Sequence, residues 1–163
     1  MADDYADGCA RRLESKGFLP EQQWLERRVI TVGEKGKKYS ASVARPNRTA
    51  SFQIDGNIIK EGAKCDKLVV ALHEDAPGTT VFVELKGHDV SHAIEQLEHT
   101  LANCMFRPLP AKSDKVRARV ITGGCGPSSV SKKVMNQAKI RFLKNYNCDL
   151  RILKNGQPDN DTI

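Results

Sequence analysis

Apolar and polar positions change rhythm several times along the chain, and each change marks an expected element. Residues 3–16 (DDYADGCARRLESK) set Tyr5, Cys9 and Leu13 four apart, the face of a short amphipathic helix that Gly17 stops. Residues 20–28 read as one or two further turns, so the N-terminal helical segment is expected to cover about 3–28. From Lys38 the period becomes two, in KYSASVARP, TASFQIDG, NIIKEGAKCDKLVVAL and TTVFVELKG, with Pro46-Asn47 and Asp55-Gly56 as turns between them. This predicts an antiparallel meander. After Gly87 the period is helical, with Val90, Ala93, Ile94, Leu97 and Leu101 on one face and Asp89 placed to cap the start. A strand at VRARVITGG, a basic helix over roughly 128–144, a short strand near 148–153 and a polar tail at 154–163 that should fray complete the series. The order is helix, three or four strands, helix, strand, helix, strand, which predicts an α/β (α+β) domain with a mixed central sheet flanked by helices.

Length narrows this to one domain, because 163 residues bury one core but not two. No repeat or low-complexity segment divides the chain. No apolar run approaches the ~18 residues of a membrane span. The acidic start, Met1-Ala2-Asp3-Asp4-Tyr5, lacks the basic and apolar stretches of a secretory signal, so a cytoplasmic location is expected. The five cysteines, Cys9, Cys65, Cys104, Cys125 and Cys148, form no CxxC pair and are expected to be reduced thiols. A net charge of +6 favours polyanionic partners such as nucleic acid.

Candidate chemistry concentrates in KCDKLVVALHEDAPGTTVFVELKG, where Asp66 is followed on the next strand by Glu84-Leu85-Lys86. Residues two apart on a strand share a face, so Glu84 and Lys86 project together while Val83 and Leu85 face the other way. The strands around 66–72 and 80–86 flank the turn-rich HEDAPGT, which predicts a hairpin. A register with Asp66 opposite Lys86 brings Asp66, Glu84 and Lys86 together, and a one-residue slip sends Asp66 to the opposite face. Two carboxylates are hard oxygen ligands suited to Mg²⁺. A metal there would activate a water, and Lys86 would orient that water or take its proton beside the phosphate. The competing reading is that Glu84 and Lys86 are solvated charges at a sheet end and Asp66 a turn residue.

Asp66 together with Val81-Phe82-Val83-Glu84-Leu85-Lys86 resembles the Asp…Glu-x-Lys signature of the PD-(D/E)xK nuclease superfamily, which includes restriction enzymes, archaeal Holliday-junction resolvases and RecB-type nuclease domains. The resemblance implies a restriction-endonuclease-like αβββαβ core and a Mg²⁺-dependent endodeoxyribonuclease, with Mn²⁺ able to substitute. Asp66 and Glu84 would be the metal ligands and Lys86 the catalytic lysine. Gln96, on the helix after the Glu-x-Lys strand, would contact the metal-bound water or DNA. Cys65 stands where the superfamily name has proline. The acidic residue that many members carry on the first helix stays open among Asp7, Glu14, Glu21 and Glu26, and Glu61 is a further supporting candidate.

Other constellations are weaker. His88, His92 and His99 lack the carboxylate or cysteine of a zinc site, and His92 is expected to contact substrate one helical turn from Gln96. The run Gly123-Gly124-Cys125-Gly126-Pro127-Ser128-Ser129 joins a strand to a helix and could hold a phosphate, but lacks the lysine of a P-loop. Lys132, Lys133, Lys139, Arg141 and Lys144 make the following helix basic with no acidic residue of its own, which predicts contact with a nucleic-acid backbone. The expected partner is therefore nucleic acid, DNA in the first instance, with a homodimer or a partner protein as a further expectation. The alternative function is a catalytically weak, nuclease-fold nucleic-acid-binding or assembly subunit of a multi-protein defence or mobile-element system.

Overall fold

A computed structural model describes residues 4–85, 89–109, 115–123 and 131–163. Its elements are α1 (Tyr5–Ser15), β1 (Gln22–Glu26), β2 (Val29–Glu34), β3 (Lys37–Ser42), β4 (Arg48–Gln53), β5 (Lys67–Leu72), β6 (Thr79–Leu85), α2 (Val90–Ala102), β7 (Val116–Thr122), α3 (Lys132–Tyr146) and β8 (Asp149–Lys154), with a single 3-10 turn at Cys104–Phe106. Six strands form one sheet in the order β1-β4-β5-β6-β7-β8, and β2 and β3 pair separately. Neighbours from β1 to β6 run antiparallel, whereas β6, β7 and β8 run parallel. The sheet is thus mixed and flanked by helices, as the order of elements predicts. No helix among the described residues is long and apolar enough to cross a membrane.

Strands β5 and β6 lie at the centre and are buried at nearly every position because both of their faces are covered. Leu68, Val70 and Phe82 pack with Leu13 of α1, Leu97 and Leu101 of α2 and Phe142 of α3. Val69, Val81 and Val83 point to the opposite side, against Ile30, Val32 and Tyr39 of the β2–β3 hairpin and against Ile163. The α2 start is as predicted, with Asp89 Oδ1 accepting from His92 N at 3.0 Å.

Four expectations need correction. The N-terminal helix does not extend over 3–28: it ends at Ser15, and Gln22–Glu26 is the edge strand β1, whose backbone finds partners on β4 that a lone helical turn would lack. Residues 37–42 leave the meander to pair with β2, since their inward Tyr39 and Ala41 belong to the second core. The stretch before Asp66 is turn and bend rather than strand, and β5 starts only at Lys67. The tail is not frayed. Asp159 N donates to Ser40 O at 2.8 Å and Ile163 N to Ser42 O at 2.9 Å, so the tail lies along β3.

What anchors the tail is a fully buried guanidinium. Arg119, on β7, faces the second core, where Nε meets Asp159 Oδ2 at 2.9 Å and Nη2 meets Asp149 Oδ2 at 3.1 Å and Asp161 Oδ2 at 2.9 Å. Tyr39 OH donates to the same Asp159 oxygen at 2.7 Å, which binds the hairpin into the network. Burial alone would push the Asp159 carboxyl up, but Arg119, the Tyr39 hydroxyl and the Asp161 N–H outweigh it and hold the group below its ordinary value. A folded-state pKa lowered in this way stabilises the fold above the unfolded value near ~3.9, and that contribution is lost as pH falls through the folded value. Asp159→Ala is expected to cost about 2–6 kcal/mol, because it leaves two buried donors, Arg119 Nε–H and the Tyr39 hydroxyl, without their acceptor, at about 1–3 kcal/mol each. Urea unfolding checks this, and the variant's stability should vary less than the wild type's below about pH 4.

Candidate active site

The β5–β6 ladder pairs Leu68 with Phe82 and Lys67 with Val83. Continued by one residue, it sets Asp66 level with Glu84 rather than with Lys86. The shift from the expected pairing is two residues, and Asp66 lies one residue beyond the last regular pair, Lys67 with Val83. Regular pairing ends there, because Asp66 N donates to Val83 O at 3.1 Å. The Asp66 carboxylate then takes over from the strand: Oδ2 accepts from Leu85 N at 2.8 Å, the position a backbone carbonyl of β5 would otherwise fill.

Side-chain alternation turns Glu84 with Phe82 to the helical side, where it is 2% exposed. Val83 and Leu85 join the opposite core, as expected. Glu84 therefore sits at the carboxyl end of a strand in the parallel half of the sheet, where open α/β sheets place their ligand sites.

Cys65 links these groups to α2. Its N–H donates to Thr100 Oγ1 at 2.8 Å, and Thr100 Oγ1 in turn donates to Gln96 O at 2.8 Å. Burial pushes the Cys65 thiol well up, and the carboxylates of Glu84 and, less strongly, Asp66 push it further. Both carboxylates thus act electrostatically on one buried sulfur. Gln96 is half-buried, and its Oε1 is buried with no hydrogen-bond partner among the described residues. A buried acceptor in this state calls for a donor or a cation.

Lys86 and His88 lie outside the described residues, as does the glycine-rich run from Gly124 to Ser129. The acidic candidates of the N-terminal segment are engaged elsewhere or exposed. Asp7 pairs with Arg11 at 2.8 Å, Glu14 accepts from Trp24 Nε1 at 2.7 Å, and Glu21 pairs at 2.7 Å with Lys67, which is buried toward the other face. Glu26 is exposed on β1, across from Arg48, and Glu61 is exposed in a bend. No group of three or more His, Cys, Asp or Glu side chains poised for a metal occurs among the described residues.

His92 is exposed, with Nδ1 3.8 Å from Glu95. Lys132, Lys133, Lys139, Arg141 and Lys144 are all exposed on α3, but Arg141 is paired with Glu98 of α2, a counter-charge that its own helix does not contain. Cys9, Cys65, Cys104 and Cys148 are free thiols. Thr100 is a participant that the sequence candidates omit. Its signal is a polar residue four after Gln96 on the apolar α2 face, where its hydroxyl donates to Gln96 O and accepts from Cys65 N.

No family model matches the chain, and neither the curated proteins nor the solved structures compared with it give a match.

Asp66 has a structural duty that can be separated from any chemistry. Asp66→Ala leaves Leu85 N without its acceptor and is expected to cost about 1–3 kcal/mol in urea unfolding. Asp66→Asn keeps an acceptor oxygen and is expected to stay near wild-type stability.

Proposed function

We propose that the protein is a metal-dependent nuclease that hydrolyses phosphodiester bonds in DNA. The observation that carries this reading is the meeting of the Asp66 carboxylate with the β6 backbone at Leu85, next in sequence to Glu84. The sequence α1, β4, β5, β6, α2, β7 is compatible with the αβββαβ order of the PD-(D/E)xK nucleases, β1 to β3 being additions to it.

Mg²⁺ suits these residues. It is held by one or two carboxylates together with water and substrate oxygens, so no three-residue cage is needed. Asp66 Oδ1 accepts no hydrogen bond from a described residue, and the partnerless Gln96 Oε1 supplies another hard oxygen nearby on α2. Asp66 and Glu84 would hold the metal, which would lower the pKa of water and offset charge on the phosphate. Lys86 would orient the attacking water and assist its deprotonation, and Gln96 would hold that water or the DNA backbone.

A second reading, a nuclease-fold subunit that binds DNA without cutting it, is favoured by the burial of Glu84. Cleavage of plasmid DNA separates the two. Glu84→Gln and Lys86→Ala are each expected to reduce Mg²⁺-dependent cleavage at least about a hundredfold, the scale of losing one group that stabilises the transition state. Circular dichroism checks that the variants fold. Cleavage retained in both contradicts the assignment, and wild-type protein that binds DNA yet cuts nothing with Mg²⁺ or Mn²⁺ selects the second reading.

A further inference from the structure

The carboxyl edge that carries Glu84 is flanked on both faces by lysines. On the hairpin face, Lys35 (φ 51°) and Gly36 (φ 81°) form the tight turn between β2 and β3, with Lys37 and Lys38 directly after it. The tip is fastened to the end of β8: Asn155 Oδ1 accepts from Lys38 N at 2.8 Å, and Asn155 Nδ2 donates to Gly36 O at 3.0 Å. Because β8 runs parallel to β6 and β7, its end lies on the same edge as Glu84. The hairpin therefore carries its three lysines, against the one carboxylate of Glu34, to that edge.

On the helical face, α3 must return the chain from the carboxyl end of β7 to the amino end of β8, so its first turn lies at the carboxyl edge. That turn holds Lys132 and Lys133 and no acidic residue. Cations are locally unfavourable at the positive end of a helix, which marks this placement as serving something other than the helix. None of these five lysines pairs with a described carboxylate.

We propose that the hairpin tip and the first turn of α3 are two jaws that grip duplex DNA across this edge. Stacked layers lie about 10 Å apart, so jaws on opposite faces of the sheet stand roughly 20 Å apart, a span suited to two phosphate backbones rather than one. Single strands are usually held on exposed aromatic rings as well as by charge, and no Phe, Trp or Tyr side chain among the described residues is exposed. The proposal rests on the reading of this edge as a nuclease site, and it adds the substrate form.

Fluorescence anisotropy in EDTA, with a labelled duplex and a single strand of the same sequence, tests it apart from catalysis. The hairpin variant Lys35→Asn, Lys37→Ala, Lys38→Ala keeps a residue tolerant of the left-handed turn. The helix variant is Lys132→Ala, Lys133→Ala. Wild-type protein is expected to prefer the duplex. Each variant is expected to weaken duplex binding at least about tenfold and to flatten the dependence of log K on log salt by roughly 0.9 for each phosphate that is no longer neutralised. An unchanged salt slope in the hairpin variant, equal affinity for the single strand, or no duplex binding at low salt overturns the proposal. Jaw effects in a protein that never cleaves refute only the nuclease reading, and cleavage by a protein whose jaw variants bind normally refutes only the jaws.

Discussion

A guanidinium buried without water must have every N–H answered, and Arg119 obtains its answers from three aspartates and two carbonyl oxygens. Two of those aspartates, Asp159 and Asp161, belong to the C-terminal tail, and Asp159 also accepts from Tyr39 on the hairpin. The requirement of one side chain thereby fixes two segments that lack a core of their own. With tail and hairpin in place, the second face of the sheet is closed, and Val69, Val81 and Val83 can be apolar there. Strand alternation then leaves Glu84 on the helical side. The position of the candidate carboxylate is in this sense a consequence of the closure on the opposite face.

At the edge of the same sheet, structure and chemistry compete for Asp66. Its Oδ2 completes the hydrogen bonding of β6 where β5 gives out, and this fixes the carboxylate with little rotational freedom. In the proposed nuclease such fixing would serve a metal ligand, since rigid oxygens lose less entropy on coordination. The arrangement of Cys65, Thr100 and Gln96 adds a second brace from α2. In the proposed grip, basic groups on both faces of the edge would supply the complementary field for a polyanion.

Much of the layout was legible in the sequence because it depends on local periodicity. The α2 face, the Asp89 cap and the β5–β6 hairpin all follow from spacing and turn residues. Less was legible where the deciding partner is distant in the chain. Gln22–Glu26 shows no clear alternation and becomes a strand through pairing with β4. The tail looks soluble by composition, yet Asp159 is buried against an arginine 40 residues away, and Ile163 closes on the hairpin. The engagement of Glu21 with Lys67 and of Arg141 with Glu98 belongs to the same class. Side-chain contacts across elements are invisible to periodicity.

The claim on which the functional reading turns is that Asp66 and Glu84 share one cation. Anomalous diffraction from a crystal soaked in Mn²⁺ measures this directly. The expected map has a peak in contact with carboxylate oxygens of both residues, and the peak disappears in Glu84→Gln crystals grown and soaked the same way. Mn²⁺ bound elsewhere on the protein, with no peak between Asp66 and Glu84, contradicts a two-carboxylate metal site.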